Sequence, residues 1–126
     1  MTLEQVNSTF VYKTDEEKYG IKEYWDELDG GEGDCESYSI TLKRHVKEFK
    51  YYTYWYCKLG GAGHCVLVDS SEQYIIDNNT QKVLSILDYK KAYDVTNLKP
   101  YKSYELVWKF TSAFFIKQYF KLTNKL

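Results

Sequence analysis

The chain has 126 residues, enough for one hydrophobic core and too few for two ordinary domains, so we expect a single domain over residues 1–126. Its net charge of −1 gives no electrostatic reason to expect nucleic-acid binding. No apolar run approaches the roughly 20 residues needed to cross a bilayer, so we do not expect a membrane protein either.

The first predicted element is a short helix over residues 2–9, because Thr2 and Gln5 have the spacing of a capping box. A glycine-rich turn over residues 30–33 comes later and ends at Asp34, a residue type that caps helices well. The turn and the cap together predict that a second helix begins directly after them.

The segment after the glycine turn has the pattern of an amphipathic helix. Its apolar and aromatic side chains recur at intervals of three and four: Cys35, Tyr38, Leu42, Val46 and Phe49. The sequence therefore predicts a helix over residues 35–50 that begins at Cys35.

The rest of the chain is rich in strand signals. Three segments predict an antiparallel meander: residues 51–59, 64–68 and 73–77. Residues 104–110 alternate well enough to predict a fourth strand, whereas the apolar run over residues 112–122 fits a strand or a helix, so the structure after Phe110 stays open. The expected class is α+β, with N-terminal helices packed on an antiparallel sheet.

Cys35 is the first candidate catalytic residue. A thiol reacts as the thiolate, and a helix N-terminus favours the thiolate through its unpaired N–H groups and the positive end of its dipole. The flexible glycine turn would let a substrate backbone come close and would leave the Cys35 N–H free as one oxyanion donor. The alternative is that Cys35 is an ordinary half-buried residue at a helix start.

His64 and Asp77 are candidates for the groups that activate the thiol. If residues 69–72 form a four-residue turn, Val68 pairs with Gln73, and His64 stands directly opposite Asp77 with Cβ atoms roughly 5 Å apart. A carboxylate there would fix the imidazole tautomer and stabilise the imidazolium, as in a catalytic triad. A turn one residue longer or shorter would break this register. The alternative for His64 is a strand-end histidine whose hydrogen bonds a neighbour satisfies.

The remaining histidine and cysteines are predicted to have no catalytic role. His45 lies off the apolar face of its helix and is expected to face solvent, while Cys57 and Cys65 are expected to pack within strands. A zinc site built from Cys35, Cys57, His64 and Cys65 is disfavoured, because the chain has no Cys-x-x-Cys pair and adjacent strand residues point to opposite faces.

The cysteine count and the N-terminus both bear on localisation. Three cysteines, an odd number, fit free thiols in a reducing compartment better than a disulfide framework. Residues 1–10 show no basic region followed by an apolar stretch, so a secretory signal is not expected. We therefore expect a cytoplasmic protein.

Four segments resemble, in order, motifs of the bacterial transglutaminase-like cysteine proteinases: YGIKEYW, GDCESY, GGAGHCVLV and YIIDNNT. The resemblance runs from about Val6 to Ile86. It implies a papain-like transglutaminase core, and it matches Cys35, His64 and Asp77 to the Cys-His-Asp triad of that family. Some of its members, the LapG-type periplasmic proteases, release biofilm adhesins by cutting them near the N-terminus. A version as compact as this chain would suit a phage or a mobile element.

The resemblance also implies a metal site. The LapG-type proteases need calcium, held partly by the acidic residues on each side of the nucleophile, and these match Asp34 and Glu36. Nearby acidic residues could add further oxygen ligands: Asp26, Asp29 and Glu32. The alternative needs no metal, because Asp34 can cap the helix and Glu36 can complement its dipole. The thiol chemistry itself requires no cofactor.

The leading functional prediction is hydrolysis of an amide bond in a protein or peptide substrate, through a thioester acyl-enzyme on Cys35. The indole N–H of Trp25 is a candidate second oxyanion donor beside the Cys35 N–H. Acyl transfer of the transglutaminase or deamidase type uses the same machinery and stays open. A non-catalytic protein-binding module, which calcium could control, also stays open, although such a module has no need to keep all three triad residues. The sequence leaves the oligomeric state open as well.

Overall fold

The computed structural model describes residues 1–123. The helices of this part of the chain are α1 (Leu3–Thr9), α2 (Asp15–Tyr19), α3 (Cys35–His45), α4 (Ile86–Ala92) and α5 (Ser103–Leu122), with a 3₁₀ turn at Lys47–Phe49. The strands are β1 (Val11–Tyr12), β2 (Glu32–Gly33), β3 (Thr53–Leu59), β4 (Ala62–Val68), β5 (Tyr74–Ile76), β6 (Leu84–Ser85) and β7 (Val95–Pro100).

The N-terminal helix forms where its capping signal predicts it. The backbone N–H of Gln5 donates to the hydroxyl of Thr2 at 3.1 Å, and the N–H of Thr2 donates to the Gln5 side chain at 2.8 Å. These two reciprocal bonds satisfy donors that a helix start would otherwise leave unpaired, so the predicted capping box is confirmed.

The glycine-rich turn holds the N-terminal segment against the start of α3. Strands β1 and β2 pair in parallel, with Val11 opposite Glu32. Gly31 has a φ of 84°, and a Cβ atom there would lie 2.2 Å from the carbonyl oxygen of Thr9. Only glycine fits this close approach, which explains why the sequence carries glycine at this position.

Helix α3 begins at Cys35, as predicted, with Asp34 as its N-cap. The Asp34 carboxylate accepts hydrogen bonds from the backbone N–H of Ser37 at 3.3 Å and from its hydroxyl at 3.2 Å. The helix ends at His45 because Val46 takes an extended conformation. The remainder of the predicted helix over residues 35–50 contains the separate 3₁₀ turn.

Five strands form one antiparallel sheet in the order β6-β5-β4-β3-β7. Helix α3 packs on one face, against a buried cluster that includes Cys65, Leu67 and Ile76. The opposite face is covered by Tyr89 of α4, which packs with Cys57, Val66, Val68 and Ile75. Since side chains alternate along a strand, Cys65 faces α3 and His64 faces the side of α4. The predicted α+β class, a helix packed on an antiparallel sheet, is confirmed.

The predicted register between β4 and β5 is wrong by two residues. Val68 pairs with Ile75, and not with Gln73. The turn is longer than predicted because the Asp69 carboxylate accepts hydrogen bonds from the backbone N–H groups of Gln73 and Tyr74, both at 2.9 Å. The loop therefore extends over residues 69–73.

The prediction of a strand over residues 104–110 is also wrong, because this segment lies within the 20-residue helix α5. Its apolar residues satisfy a helical period as well, and Ala113 and Phe120 supply a buried inner face. The edge strand beside β3 is β7, which ends at Pro100, a position that an edge strand tolerates. Over residues 1–123, the structure contains no helix that is both long and apolar enough to cross a membrane.

Candidate active site

The thiol of Cys35 lies between the start of α3 and strand β4. The backbone N–H of Cys65 donates to Cys35 Sγ at 3.4 Å, and the thiol donates to Glu36 Oε2 at 3.3 Å. Cys65 directly follows His64, so the Cys35 thiol contacts the backbone of β4 next to the candidate base. Among residues 1–123, the structure has no hydrogen bond between the Cys35 thiol and the His64 imidazole.

His64 and Asp77 form a direct pair. His64 Nε2 lies 2.7 Å from Asp77 Oδ2, and the Asp77 side chain is fully buried. The predicted register placed the two residues directly opposite each other. In the structure they are diagonal neighbours on one face of the sheet. A shift of two residues keeps a side chain on its original face, which explains why the contact forms in spite of the register error.

Both oxygens of the Asp77 carboxylate accept further hydrogen bonds. The hydroxyl of Tyr89 donates to Oδ2 at 2.6 Å, and the backbone N–H groups of Asn79 and Thr80 donate to Oδ1 at 3.0 and 2.8 Å. Burial opposes ionisation of Asp77, but the bonds from His64, Tyr89 and Thr80 outweigh it and hold the pKa of Asp77 below its ordinary value. Asp77 is therefore a buried carboxylate that stays charged beside a histidine.

Tyr89 is a member of the site that the sequence reasoning missed. Its ring is fully buried under the sheet, and burial together with the charge of Asp77 raises its pKa, so it remains a neutral donor. It comes from α4, which the sequence did not predict. No local spacing connects residue 89 with residue 77, and only the packing of α4 on the sheet brings them together.

Three buried carboxyl groups cluster beside the thiol: Asp15, Asp34 and Glu36. One oxygen from each lies within 4.8 Å of the others. Burial, followed by hydrogen bonding with Asp15 and the charge of Asp34, raises the pKa of Glu36 to about 10. Burial also raises the pKa of Asp15 to about 6. Glu36 is therefore protonated at neutral pH, because three ionised carboxylates would place more negative charge here than the surroundings stabilise.

Asp15 was not among the predicted acidic ligands. It lies in the first turn of α2, and its Oδ2 accepts a hydrogen bond from the backbone N–H of Tyr24 at 2.7 Å, which turns the carboxylate inward. The other acidic residues that the sequence offered have different partners. Glu32 and Asp29 pair with Lys18 at 2.7 and 3.4 Å.

Asp26 also lies outside the carboxyl cluster and accepts a hydrogen bond from the hydroxyl of Tyr24 at 3.0 Å. Among the described residues, the negative charge of the cluster therefore depends on the three buried groups alone.

The acidic cluster also affects the thiol. The pKa of Cys35 lies well above its ordinary value. Burial is the largest cause, and the charge of Glu36 is the next. In this arrangement Cys35 is a neutral thiol. A cation bound at the cluster, or removal of the Glu36 carboxyl group, would favour the thiolate.

The remaining predicted residues have ordinary environments. Trp25 is buried, and its indole N–H donates to Glu23 at 2.9 Å, so its role as an oxyanion donor stays a prediction. His45 is exposed and contacts Glu27. Cys57 is buried under the sheet on the α4 side.

The site combines a thiol at a helix N-terminus with a buried His–Asp pair on the adjoining sheet. This is the arrangement expected of a thiol hydrolase. A sequence model of the family described as bacterial transglutaminase-like cysteine proteinase (BTLCP) matches residues 2–99, and the chain belongs to this family. It is thus a cysteine proteinase of the transglutaminase-like type, which acts on protein. A search of curated proteins gave no match.

Proposed function

We propose that this proteinase hydrolyses an amide bond in a protein substrate, with Cys35 as the nucleophile, His64 as the base and Asp77 as the residue that orients His64. The observation that carries the proposal is the 2.7 Å contact between His64 Nε2 and Asp77 Oδ2. A charged carboxylate at this distance assigns the N–H of the neutral imidazole to Nε2 and leaves Nδ1 as the proton acceptor.

In the proposed reaction, the Cys35 thiol turns from Glu36 towards Nδ1 of His64 and gives up its proton there. The thiolate attacks the carbonyl carbon, and the His64 imidazolium then returns the proton to the leaving amine as the C–N bond breaks. A thioester on Cys35 remains. Water attacks it with His64 again as base, which releases the acid product and restores the thiol.

The backbone N–H of Cys35 is proposed as an oxyanion donor. Within residues 1–123 this group has no hydrogen-bond acceptor, as is usual for the first N–H groups of a helix, and it lies at the positive end of the α3 dipole. The indole of Trp25 could contribute only after releasing Glu23, which holds its N–H in this structure.

The test of the proposal is a cleavage experiment in H₂¹⁸O. Wild-type enzyme and a Cys35→Ala variant are incubated with a protein extract, and peptides are analysed by mass spectrometry. Hydrolysis of a peptide bond creates new N-termini and places one ¹⁸O in each new C-terminal carboxylate, with wild type only. Glutamine residues converted to glutamate, or joined to an added primary amine, without new N-termini would instead establish deamidation or transglutamination.

We further propose that the cluster of Asp15, Asp34 and Glu36 holds a calcium ion. The residues fit the ion, because three buried carboxyl groups converge and, among the described residues, no lysine, arginine or histidine forms an ion pair with them. Calcium takes six to eight oxygen ligands, of which these side chains would supply part. Bound calcium would offset the carboxylate charge beside the Cys35 thiol.

Calcium is therefore expected to raise the melting temperature of the wild type. A ligand at about 100 times its Kd stabilises the native state by about 2.7 kcal/mol, which is several degrees for a chain of this size. The double variant Asp15→Asn, Glu36→Gln should lose this rise. Without calcium it should melt above the wild type at neutral pH, because it lacks the two carboxyl groups whose raised pKa values destabilise the native state. Differential scanning calorimetry with EDTA and with millimolar calcium measures both effects.

The control for calcium is the double variant Asp29→Asn, Glu32→Gln, which removes two acidic residues that pair with Lys18 outside the cluster. It should keep the full calcium-dependent rise. A wild type without any thermal shift at millimolar calcium would contradict the proposed site, and so would an equal loss in both double variants.

Tyr89 is expected to act as a positioning residue for Asp77. Tyr89→Phe removes the 2.6 Å hydrogen bond to Oδ2 and leaves the ring in place. A hydrogen bond to a charged group is worth about 1.5–3 kcal/mol, so kcat should fall by roughly tenfold or more while KM changes little. The control is Tyr93→Phe, since Tyr93 packs against Tyr89 without a hydrogen bond to Asp77. Equal losses in both variants would show that the hydroxyl contact with Asp77 has no role.

A further inference from the structure

The outward face of α5 is an exposed apolar surface. Seven large side chains on this helix each expose more than half of their surface: Tyr104, Val107, Trp108, Phe114, Phe115, Tyr119 and Leu122. From the usual areas of such side chains, they present on the order of 900 Å² to solvent. The largest apolar patch on a typical monomer is about 300–600 Å², so a surface of this size indicates a binding site.

The two charged residues in the middle of α5 do not interrupt this outward face, because they turn towards the rest of the molecule. Lys109 pairs with Glu23 at 2.9 Å, and Lys117 pairs with Asp26 at 3.6 Å. The two other charged residues lie at the ends of the helix: Glu105 accepts a hydrogen bond from the backbone N–H of Lys102 in the first turn, and Lys121 is in the last turn. The middle of the outward face therefore carries no unpaired charge. Two such faces would therefore meet without like charges opposed at the centre of the contact.

The outward face is not needed to build the active site. Helix α5 lies beyond residues 2–99, which match the family. It holds to the core through the opposite side of the helix, where Ala113 and Phe120 are buried. Packing of the core therefore leaves the aromatic residues of the outward face unexplained.

We propose that a second copy of this chain covers the outward face, with the two α5 helices packed antiparallel about a two-fold axis. A central stripe on this face has the spacing 4-3-4-3-4, which is the seam of a helix pair: Tyr104, Trp108, Thr111, Phe115, Gln118 and Leu122. This spacing is the same in both chain directions, so the stripe is complementary to itself in an antiparallel pair. The small Thr111 would then lie opposite the large Phe115 of the second copy.

The exposed area fits such a dimer. A stable protein interface buries about 800 Å² on each partner, close to what the seven side chains present.

A membrane surface is the weaker occupant, because helices that lie on anionic lipid direct free lysines towards the headgroups. Here Lys109 and Lys117 already have carboxylate partners on the domain.

The test is the mass of the full chain in solution, measured by analytical ultracentrifugation at micromolar concentrations. The wild type should sediment with twice the 15.0 kDa of one chain. Phe115→Glu should weaken association by at least about tenfold, as expected for an aromatic residue at the centre of an interface. Leu87→Glu, which places the same charge on an equally exposed apolar residue of α4, should remain a dimer.

A mixing experiment identifies the second copy directly. Phe115→Glu and Phe115→Lys should each be monomeric, and an equimolar mixture should recover the dimer, because opposite charges then meet near the two-fold axis. Circular dichroism confirms that each variant is folded, and Thr111→Glu provides a second charge at the same seam. A monomeric wild type, a dimer that survives both seam substitutions, or binding to phosphatidylserine vesicles without self-association would each overturn the proposal.

Discussion

Cys35→Ala is expected to abolish cleavage, because an acyl-enzyme cannot form without the thiol. The loss should be about 10⁶-fold if the three proposed catalytic residues act as a unit, with only background hydrolysis remaining. The measurement is the rate at which new N-termini appear in a protein extract, for wild type and variant at equal concentration. The fold should persist, since Cys35 is a small residue at the first turn of α3, whose cap is Asp34.

The matched control is Cys57→Ala, which removes a buried thiol from the opposite side of the sheet. It should retain activity within a few-fold of the wild type, whatever it loses in stability. Limiting iodoacetamide in the presence of calcium should also label Cys35 before Cys57 and Cys65, which are buried. Preferential labelling of either buried cysteine, or cleavage by Cys35→Ala, would contradict the assignment of the nucleophile.

The start of α3 could be predicted because all of its signals are local. The glycine turn, the Asp34 cap and the three-and-four spacing of apolar residues lie within a few residues of one another, and each restricts the same backbone. The structure places Cys35 at the first position of α3 for the same reasons. This part of the site needed no knowledge of the tertiary fold.

The contact between His64 and Asp77 was predicted through a register that is wrong. The loop after β4 is longer than a four-residue turn because the Asp69 carboxylate binds the backbone N–H groups of Gln73 and Tyr74. An even shift leaves Asp77 on the face of His64, whereas an odd shift would have moved it to the face of α3. Strand alternation is thus a more secure basis for such a prediction than the exact pairing.

Asp15 and Tyr89 could not be predicted, because each reaches the site through packing between distant segments. Asp15 turns inward through its hydrogen bond with the backbone of Tyr24, and Tyr89 reaches Asp77 from the helix that covers the sheet. The C-terminal helix escaped prediction for a different reason. Its apolar residues occupy both its inner and outward faces, so no single period stands out over α5.

Asp77→Asn is expected to slow catalysis by up to about 10⁴-fold, the loss seen when a triad aspartate no longer sets the histidine tautomer. The asparagine amide would donate to Nε2 of His64 and so favour a proton on Nδ1, which then cannot accept the thiol proton. Substrate binding should change little. Steady-state rates on a substrate identified in the cleavage experiment should therefore show a fall in kcat with KM preserved.

The fold of Asp77→Asn should survive, because the asparagine oxygen can still accept from the backbone N–H groups of Asn79 and Thr80. Because the pKa of Asp77 is lowered in the native state, its ionised carboxylate stabilises the fold at pH values above the ordinary pKa of 3.8. This stabilisation is lost as the pH falls through the lowered pKa. The variant should lose that part of the acid dependence of its melting temperature.

Asp69→Asn, at a loop carboxylate that binds only backbone and Ser71, is the control and should keep the wild-type rate. If Asp77→Asn is as fast as the wild type while Cys35→Ala is inactive, another group orients His64 and the site is a Cys–His dyad.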